Sequence, residues 1–289
     1  MGGRFEPLRG VLLASVAPSR GSRLQFRLQV RAASYEADRT ALCVHGAGGG
    51  GWEFDLWREP FAKQGWRLVA PDLQPRAQGG YALTTLDDYA DQVAAWLDEY
   101  QPGALLGASM GGPLVLLGAA RRPACLASTV LINSVIPPPW SHPPTVPKDA
   151  EQEGGVLHWK GSSLESTARA LPDSTPEVHR WACSRWRDES GRVLQQLRSP
   201  HSDHLHDAWA NIAAPASAHE RLLFVIGDED RDCPPQAQRE WATAWGAAAI
   251  SHPGMSHCGP LLGVAAPGVA DEVATWLNGV MSTELAGRS

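Results

Sequence analysis

The sequence predicts an α/β protein: a mostly parallel central sheet of about eight strands, flanked by helices and carrying a small helical insertion. Short apolar runs alternate with amphipathic helical segments on both sides of a middle region. Strands that are apolar on both faces are typical of a parallel sheet covered by helices. In the middle region, prolines cluster and no strand-like alternation is visible. We therefore predict a core of residues 1–134 and 216–289 and a helical cap over residues 135–215.

Composition indicates an ordinary soluble globular protein. The chain has 289 residues, of which 43% are hydrophobic and 19% charged, and a formal net charge of −6. This charge gives no attraction for nucleic acid or for an anionic membrane. No apolar run approaches the roughly 20 residues that span a bilayer. We expect neither nucleic acid nor a membrane as partner, and the sequence does not indicate an oligomeric state.

Cysteines and histidines give no pattern of metal binding. The five cysteines are odd in number and lack metal-ligand spacing, so we expect reduced thiols and a cytoplasmic location. His201, His204 and His206 lie in the insertion without a cysteine or carboxylate set at a known spacing, and we interpret them as solvated. No metal or organic cofactor is implied.

The N-terminal region predicts an antiparallel hairpin. Residues from Leu24 to Val30 alternate between apolar and polar side chains, as a half-exposed strand does. An earlier strand over Val11–Val16 would turn back through Ser19–Arg23. The basic and apolar start also resembles a short signal peptide, but Glu6 interrupts its basic part, so we favour the strand.

The elements of the α/β pattern follow in order. The predicted strands are Thr40–Val44, Arg67–Ala70, Gly103–Leu106, Thr129–Ile132, Leu222–Ile226 and Ala247–Ser251. The clearest predicted helices are Leu86–Tyr100, which starts with a Thr85–Asp88 capping box, Gln236–Trp245 and Val269–Leu277.

A Gly-x-Ser-x-Gly stretch joins one of these strands to a helix. The apolar run before Gly107 and the one after Pro113 predict a sharp strand-to-helix turn with Ser109 at its tip. Gly107 and Gly111 lack a Cβ, so the chain can fold back around Ser109. By itself, the pattern also fits an ordinary turn.

The rest of the chain supplies the partners that a nucleophilic serine needs. An acid-rich loop, residues 228–232, follows a later strand, and His252 and His257 follow the next one. Serine catalysis requires a base that activates the hydroxyl and an acid that orients the base. The carboxyl ends of parallel strands meet at one edge of a sheet, so these loops are expected to converge.

Five motifs in order resemble the α/β-hydrolase fold superfamily, in the subset of capped serine hydrolases related to esterases and lipases. They are His45-Gly46-Ala47-Gly48-Gly49, Pro71-Asp72, Gly107-Ala108-Ser109-Met110-Gly111, the run from Gly227 through Asp230 to Pro234, and Gly254-Met255-Ser256-His257. The resemblance covers nearly the whole chain. One departure is the loop Pro71–Arg76, which lacks the usual Gly-x-Gly.

The order Ser, acid, His of this family assigns roles to particular residues. Ser109 is the predicted nucleophile and His257 the predicted base, with His252 as its rival. Asp230 is the predicted acid because it matches the family position between Gly227 and Pro234. The competing acids are Asp228 and Asp232; Asn133 stands where some relatives carry the acid instead.

The resemblance also implies an oxyanion hole made of backbone N–H groups. Met110 follows the nucleophile and Ala47 follows His45-Gly46, so their N–H groups are the predicted donors, with Gly48 as a second choice for the latter.

The pocket is less well specified. The chain has 12 tryptophans, several of them in the insertion, and aromatic caps commonly line apolar pockets. Large side chains that build the core of a small cap explain them equally well. The candidate pocket residues are His45, Gly46, Trp140, Trp181 and Trp186.

The resulting hypothesis is a serine hydrolase that cleaves a small or medium carboxylic ester through an acyl-enzyme. Alternatives on the same fold are a C–C bond hydrolase, a thioesterase and a perhydrolase or lyase, which the fold does not separate. A different class is a receptor that binds a small ligand under the cap with slow or no turnover.

Overall fold

The computed structural model describes residues 39–122, 127–136, 155–198 and 220–287. These residues form one six-stranded sheet in the order β2-β1-β3-β4-β7-β8, and every neighbouring pair is parallel. Its strands are β1 (Thr40–Val44), β2 (Arg67–Val69), β3 (Ala104–Ala108), β4 (Ser128–Ile132), β7 (Leu222–Gly227) and β8 (Ala248–His252). The predicted fold class is confirmed. The described sheet has six strands rather than about eight, and the predicted N-terminal hairpin lies outside the described residues.

The helices account for most of the remaining described chain. They are α1 (Asp55–Lys63), α2 (Gly80–Leu83), α3 (Leu86–Tyr100), α4 (Gly111–Ala120), α5 (Leu164–Ala170), α6 (Pro176–Cys183), α7 (Gly191–Arg198), α8 (Pro235–Trp245), α9 (Gly259–Leu262) and α10 (Ala266–Gly287). The predicted capping box at the start of α3 is confirmed, because Thr85 Oγ1 accepts the Asp88 N–H and Asp88 Oδ2 accepts the Thr85 N–H. None of the described helices is long and apolar enough to cross a membrane.

The sheet separates two buried clusters, which explains why its strands are apolar on both faces. Alternate residues of β1 divide between them: Leu42 and Val44 belong to the cluster with α3 and α4, and Ala41 and Cys43 to the cluster with α1 and α10. Side chains of a strand alternate in direction, so a strand buried on both sides needs an unbroken apolar run. This burial fixes the edge at which the loops after β1, β3, β7 and β8 meet.

Part of the predicted insertion, residues 155–198, lies between β4 and β7 along the chain. It contains α5, α6 and α7 and a ribbon in which β5 (Val156–Leu157) pairs antiparallel with β6 (Glu189–Ser190). Two-residue strands are too short to produce an alternating pattern, which is why the sequence indicated helices alone.

Candidate active site

The turn between β3 and α4 holds Ser109 in a backbone conformation that favours glycine. Its φ is 50°, in the left-handed region, which is uncommon for a residue with a side chain and typical of strained functional sites. The turn is tight: a Cβ at Gly107 would overlap the backbone of Gly111, and a Cβ at Gly111 would overlap the carbonyl of Val44. Both motif glycines are therefore required by space, as the sequence indicated.

His257 connects Ser109 to Asp230. Its Nε2 lies 2.9 Å from Ser109 Oγ, and its Nδ1 lies 3.0 and 2.9 Å from the two carboxylate oxygens of Asp230. The Asp230 side chain is fully buried. A carboxylate at Nδ1 keeps the proton there, which leaves Nε2 able to accept the serine proton. The structure thus brings together the three residues that the motifs singled out.

The competing acids and the competing histidine lie elsewhere. Asp228 is exposed and its Oδ1 accepts a hydrogen bond of 2.8 Å from Arg239, while His252 lies 3.8 Å from Glu272. Asp232 is exposed at the rim of the cavity, and its N–H donates to Asp230 Oδ1 over 2.8 Å. Together with the Cys233 N–H, this bond fixes the orientation of the Asp230 carboxylate.

The charge of Asp230 controls the basicity of His257. Burial by itself lowers the pKa of an imidazole, but the Asp230 carboxylate, aided by Asp232 and Glu53, outweighs it and raises the pKa of His257 to about 9. The Asp230 carboxylate therefore favours the imidazolium form of His257, and the ring can accept a proton at Nε2 only when it is in the neutral form.

Asn133 anchors the two loops that carry Asp230 and His257. It ends β4 with a φ of 40°, its Oδ1 accepts the Gly227 N–H over 2.7 Å, and its Nδ2 donates to the carbonyls of Ser256 (3.0 Å) and His257 (2.8 Å). Sequence reasoning noted this residue only as a missing acid. A polar side chain directly after a buried apolar strand was the available signal.

Most backbone N–H groups of the glycine-rich loop after β1 are bonded to protein acceptors. Gly46 N–H donates to Glu53, Gly48 N–H to Glu189, Gly49 N–H to the Gly46 carbonyl, and Gly51 N–H to Asp72. Within the described residues, neither Ala47 N–H nor Met110 N–H has a protein acceptor, and both residues line the cavity. Gly48, the second choice for the oxyanion donor, is therefore already bonded, and the arrangement favours Ala47.

His45 orients this loop and does not face the cavity. Its Nε2 accepts the Leu73 N–H over 2.9 Å, so Nδ1 carries the proton and donates to the Gly46 carbonyl over 2.8 Å. Burial lowers the pKa of His45 to about 4, so the ring is neutral. In a trans peptide the N–H points opposite to the preceding carbonyl, so fixing the Gly46 carbonyl also fixes the Ala47 N–H.

Glu53 was not anticipated from the sequence. It lies on the short 3₁₀ turn Gly51–Phe54, is buried beside the cavity, and its Oε2 accepts the Gly46 N–H over 2.9 Å. Burial raises the pKa of Glu53 to about 7 against the opposing effect of that hydrogen bond. A Cβ at Gly49 would overlap this carboxyl group, so glycine at that position leaves room for it.

A cavity of about 280 Å³ opens in front of Ser109. Its wall is mainly apolar and combines residues of the core with Trp159, Trp186, Leu194 and Leu197 of the insertion. Of the predicted pocket residues, Gly46 and Trp186 line it. Trp181 instead packs edge-on against Trp52, with ring centroids 5.1 Å apart, and Trp140 lies outside the described residues.

One side-chain group in the described part of the chain resembles a metal-ligand set. Asp230, Cys233 and His257 place one ligand atom each within 4.8 Å of one another. Two of these residues are already bonded to each other, and burial raises the pKa of the Cys233 thiol well above its usual value, which disfavours the thiolate that a metal requires. The predicted solvated histidines at 201, 204 and 206 lie outside the described residues.

Comparisons with known proteins identify the family and the fold. The alpha/beta hydrolase family matches residues 41–272. Among solved structures, a pyrethroid hydrolase from Sphingobium faniae JZ-2 is 22% identical with a TM-score of 0.60, over 83% of this chain and 97% of that one. A monoacylglycerol lipase from Paleococcus ferrophilus is 17% identical with a TM-score of 0.59, over 83% and 94%. A variant of a meta-cleavage product hydrolase is 17% identical with a TM-score of 0.57, over 83% and 91%.

A comparison with curated protein sequences gives no match. The chain belongs to the alpha/beta hydrolase family, because the family match covers most of its length. We therefore class it as a hydrolase.

Proposed function

We propose that the protein is a serine hydrolase that cleaves a small or medium carboxylic ester through an acyl-enzyme on Ser109. The observation that carries the proposal is the position of the His257 ring, with one nitrogen 2.9 Å from Ser109 Oγ and the other within 3.0 Å of Asp230. That arrangement suits proton transfer out of the serine hydroxyl as it attacks.

The reaction would run in two halves. His257 takes the Ser109 proton while Oγ attacks the ester carbonyl, and then gives that proton to the leaving alcohol as the tetrahedral intermediate collapses to the acyl-enzyme. In the second half His257 takes a proton from water, which attacks the acyl group and releases the acid. Asp230 remains ionised and stabilises the imidazolium in both halves.

The Ala47 and Met110 N–H groups would stabilise the oxyanion in each tetrahedral intermediate. This assignment is supported by the lack of a protein acceptor for either group within the described residues. Two such preorganised donors act strongly in a site that excludes water, and the loss of one typically costs about 3 kcal/mol.

Residues 135–215 would form the cap over a core of residues 1–134 and 216–289. Support comes from the described insertion residues, which supply Trp159, Trp186, Leu194 and Leu197 to the cavity wall. A cavity of about 280 Å³ is near the lower end of ligand-site volumes, which favours a small or medium substrate. We expect that substrate to be mainly apolar.

A fluorophosphonate probe tests the assignment of the nucleophile. We expect a single labelled site in the wild-type protein, at Ser109, and no labelling of Ser109→Ala, as read by mass spectrometry of peptides. Labelling that persists in the variant would contradict the proposal.

Turnover of a substrate panel separates the remaining activities. Steady hydrolysis of short-chain p-nitrophenyl esters supports the ester hydrolase, whereas labelling accompanied by one burst and no further turnover indicates a ligand receptor. The corresponding thioesters and a vinylogous diketone test the thioesterase and the C–C bond hydrolase. A higher kcat/KM for either of these than for the ester of equal chain length would replace the ester assignment.

A further inference from the structure

The residue that follows Ala47 is held by the insertion. Gly48 donates its N–H to Glu189 Oε2 over 3.1 Å and accepts the Arg187 N–H at its carbonyl over 2.8 Å. The ring of Trp159 covers its Cα so closely that a Cβ there would overlap the ring. Residues 155–198 thus contact the N–H, the carbonyl and the Cα of Gly48. We call this set of contacts the Gly48 clamp.

Glu189 is the part of the Gly48 clamp that is anchored to the core. It is 2% exposed, and its Oε1 accepts the hydroxyl of Tyr89 over 2.8 Å and the Ser190 N–H over 2.7 Å. Tyr89 lies on α3 and is itself 1% exposed. Each carboxylate oxygen therefore has its own backbone donor, and the whole group is fixed between helix α3 and the glycine-rich loop.

The conformation of Gly48 contributes to the direction of the Ala47 N–H, together with the His45 bond to the Gly46 carbonyl. Gly48 has a φ of 68°, and this turn brings the Gly49 N–H to the Gly46 carbonyl at 3.3 Å. The Gly46 carbonyl and the Ala47 N–H belong to one planar peptide and point in opposite directions. A change at Gly48 would therefore disturb one of the two hydrogen bonds that orient the peptide carrying the Ala47 N–H.

We propose that Glu189 is a positioning residue for the oxyanion donor Ala47, so that the insertion contributes to stabilising the transition state as well as to enclosing the substrate. The inference rests on the proposed serine hydrolase function. It predicts that a change at Glu189 lowers kcat and leaves KM nearly unchanged, because the oxyanion forms only after the substrate has bound.

The variant Glu189→Gln tests this with a minimal change of shape. An amide has one acceptor oxygen, so in either orientation its NH₂ group faces the N–H of Gly48 or of Ser190. We expect kcat for a p-nitrophenyl ester to fall about 10- to 100-fold, with KM changed by less than about threefold. This decrease in kcat is at most about as large as the one that follows the loss of a whole oxyanion donor. Phosphonylation of Ser109 by the fluorophosphonate should slow by a similar factor, since its oxygen occupies the same hole.

Two further variants make the result interpretable. Glu165→Gln makes the same change at an exposed position of the insertion, where the partner is Arg169, and should leave both constants unchanged. Tyr89→Phe removes one bond to Glu189 but keeps the bond to Gly48, and should lower kcat by about threefold. If Glu189→Gln does not fold, as judged by circular dichroism, Tyr89→Phe decides, and an unchanged kcat there would overturn the proposal.

The outcomes separate this inference from the proposed function. Wild-type labelling at Ser109 together with an unchanged kcat in Glu189→Gln, or with a raised KM alone, would overturn the positioning role and leave the hydrolase assignment intact. Failure of the wild-type protein to be labelled at Ser109 would overturn both.

Discussion

The two loops that face Ser109 are held by different chemistry. On the histidine side, the carbonyls of residues 256 and 257 are bonded by the amide of Asn133, which is neutral at every pH. On the oxyanion side, the N–H groups on either side of Ala47 are bonded by two buried carboxyl groups, Glu53 and Glu189. Burial raises the pKa of both.

This difference implies that the two sides respond differently to pH and to the insertion. The Asn133 anchor lies at the end of a core strand and holds the histidine loop through the sheet. The insertion also contacts this loop, through hydrogen bonds from Ser256 N–H and Ser256 Oγ to the Asp173 carboxylate. On the oxyanion side, however, the insertion supplies both backbone partners of Gly48. The sheet and the insertion therefore both hold the histidine loop, whereas the insertion supplies both backbone partners of Gly48 on the other side.

The largest effect is expected on the histidine side from Asp230→Asn. The amide cannot keep the proton on Nδ1, and without the carboxylate the burial of His257 lowers its pKa. We expect kcat for a p-nitrophenyl ester to fall about 10⁴-fold. Asp228→Asn, an exposed aspartate paired with Arg239, is the matched control and should behave as wild type. Equal losses in the two variants would mean that the acid has been misassigned.

A smaller effect is expected when the neutral anchor is made acidic. Asn133→Asp keeps the shape but replaces the Nδ2 amide group, which donates both hydrogen bonds, by one oxygen that faces the carbonyls of Ser256 and His257. The free energy of unfolding, from urea titration, should fall by about 2–4 kcal/mol, with kcat reduced about 10-fold or more. Asn278→Asp makes the same change on α10, where Asn278 accepts the Trp66 indole N–H, and should lower stability without lowering kcat. A kcat that is unaffected by Asn133→Asp would show that this anchor does not position His257.

The smallest effect is a shift of pH dependence from Glu53→Gln. In the wild type, kcat/KM should rise with pH up to about 9 as His257 loses its proton. Ionised Glu53 helps to raise the pKa of His257, so the glutamine variant should reach its plateau at lower pH. If kcat/KM of the variant depended on pH as in the wild type, the charge of Glu53 would not raise the pKa of His257.

The free energy of unfolding of Glu53→Gln provides a second test. The folded pKa of Glu53, about 7, lies above its usual value of 4.5. The contribution of the Glu53 side chain to the free energy of unfolding is therefore fully present below about pH 4.5 and is lost as pH rises through about 7. Glu53→Gln should consequently gain stability relative to wild type between these values, as measured by urea unfolding at several pH values.

The sequence was most informative for reactive side chains that follow the end of a strand at a fixed spacing. Ser109 and Asp230 follow buried apolar strands, and His257 follows the partly exposed edge strand β8. Parallel strands bring their carboxyl ends to one edge of the sheet, so the pattern could place the three residues together. The strands and the capped helix α3 were predictable for the same local reason.

The anchors could not be predicted, because their partners are distant along the chain. Glu189 bonds Gly48 across 141 positions, and Asn133 bonds His257 across 124. Nothing in the sequence next to Glu53 distinguishes it from an exposed glutamate, although it is buried. The insertion was also hard to interpret: Trp181 and Trp186 both pack edge-on against Trp52, and of the two only Trp186 also lines the cavity. The local sequence pattern does not distinguish a tryptophan that lines the cavity from one that only packs against another ring.

Trapping of the acyl-enzyme tests the central claim most directly. The protein would be mixed with p-nitrophenyl acetate, quenched in acid within the first turnover, digested and examined by mass spectrometry. We predict an acetyl group on the peptide that contains Ser109, formed at the rate of the p-nitrophenol burst and absent from Ser109→Ala. Hydrolysis of the ester without acylation of Ser109 in the first turnover would contradict the account.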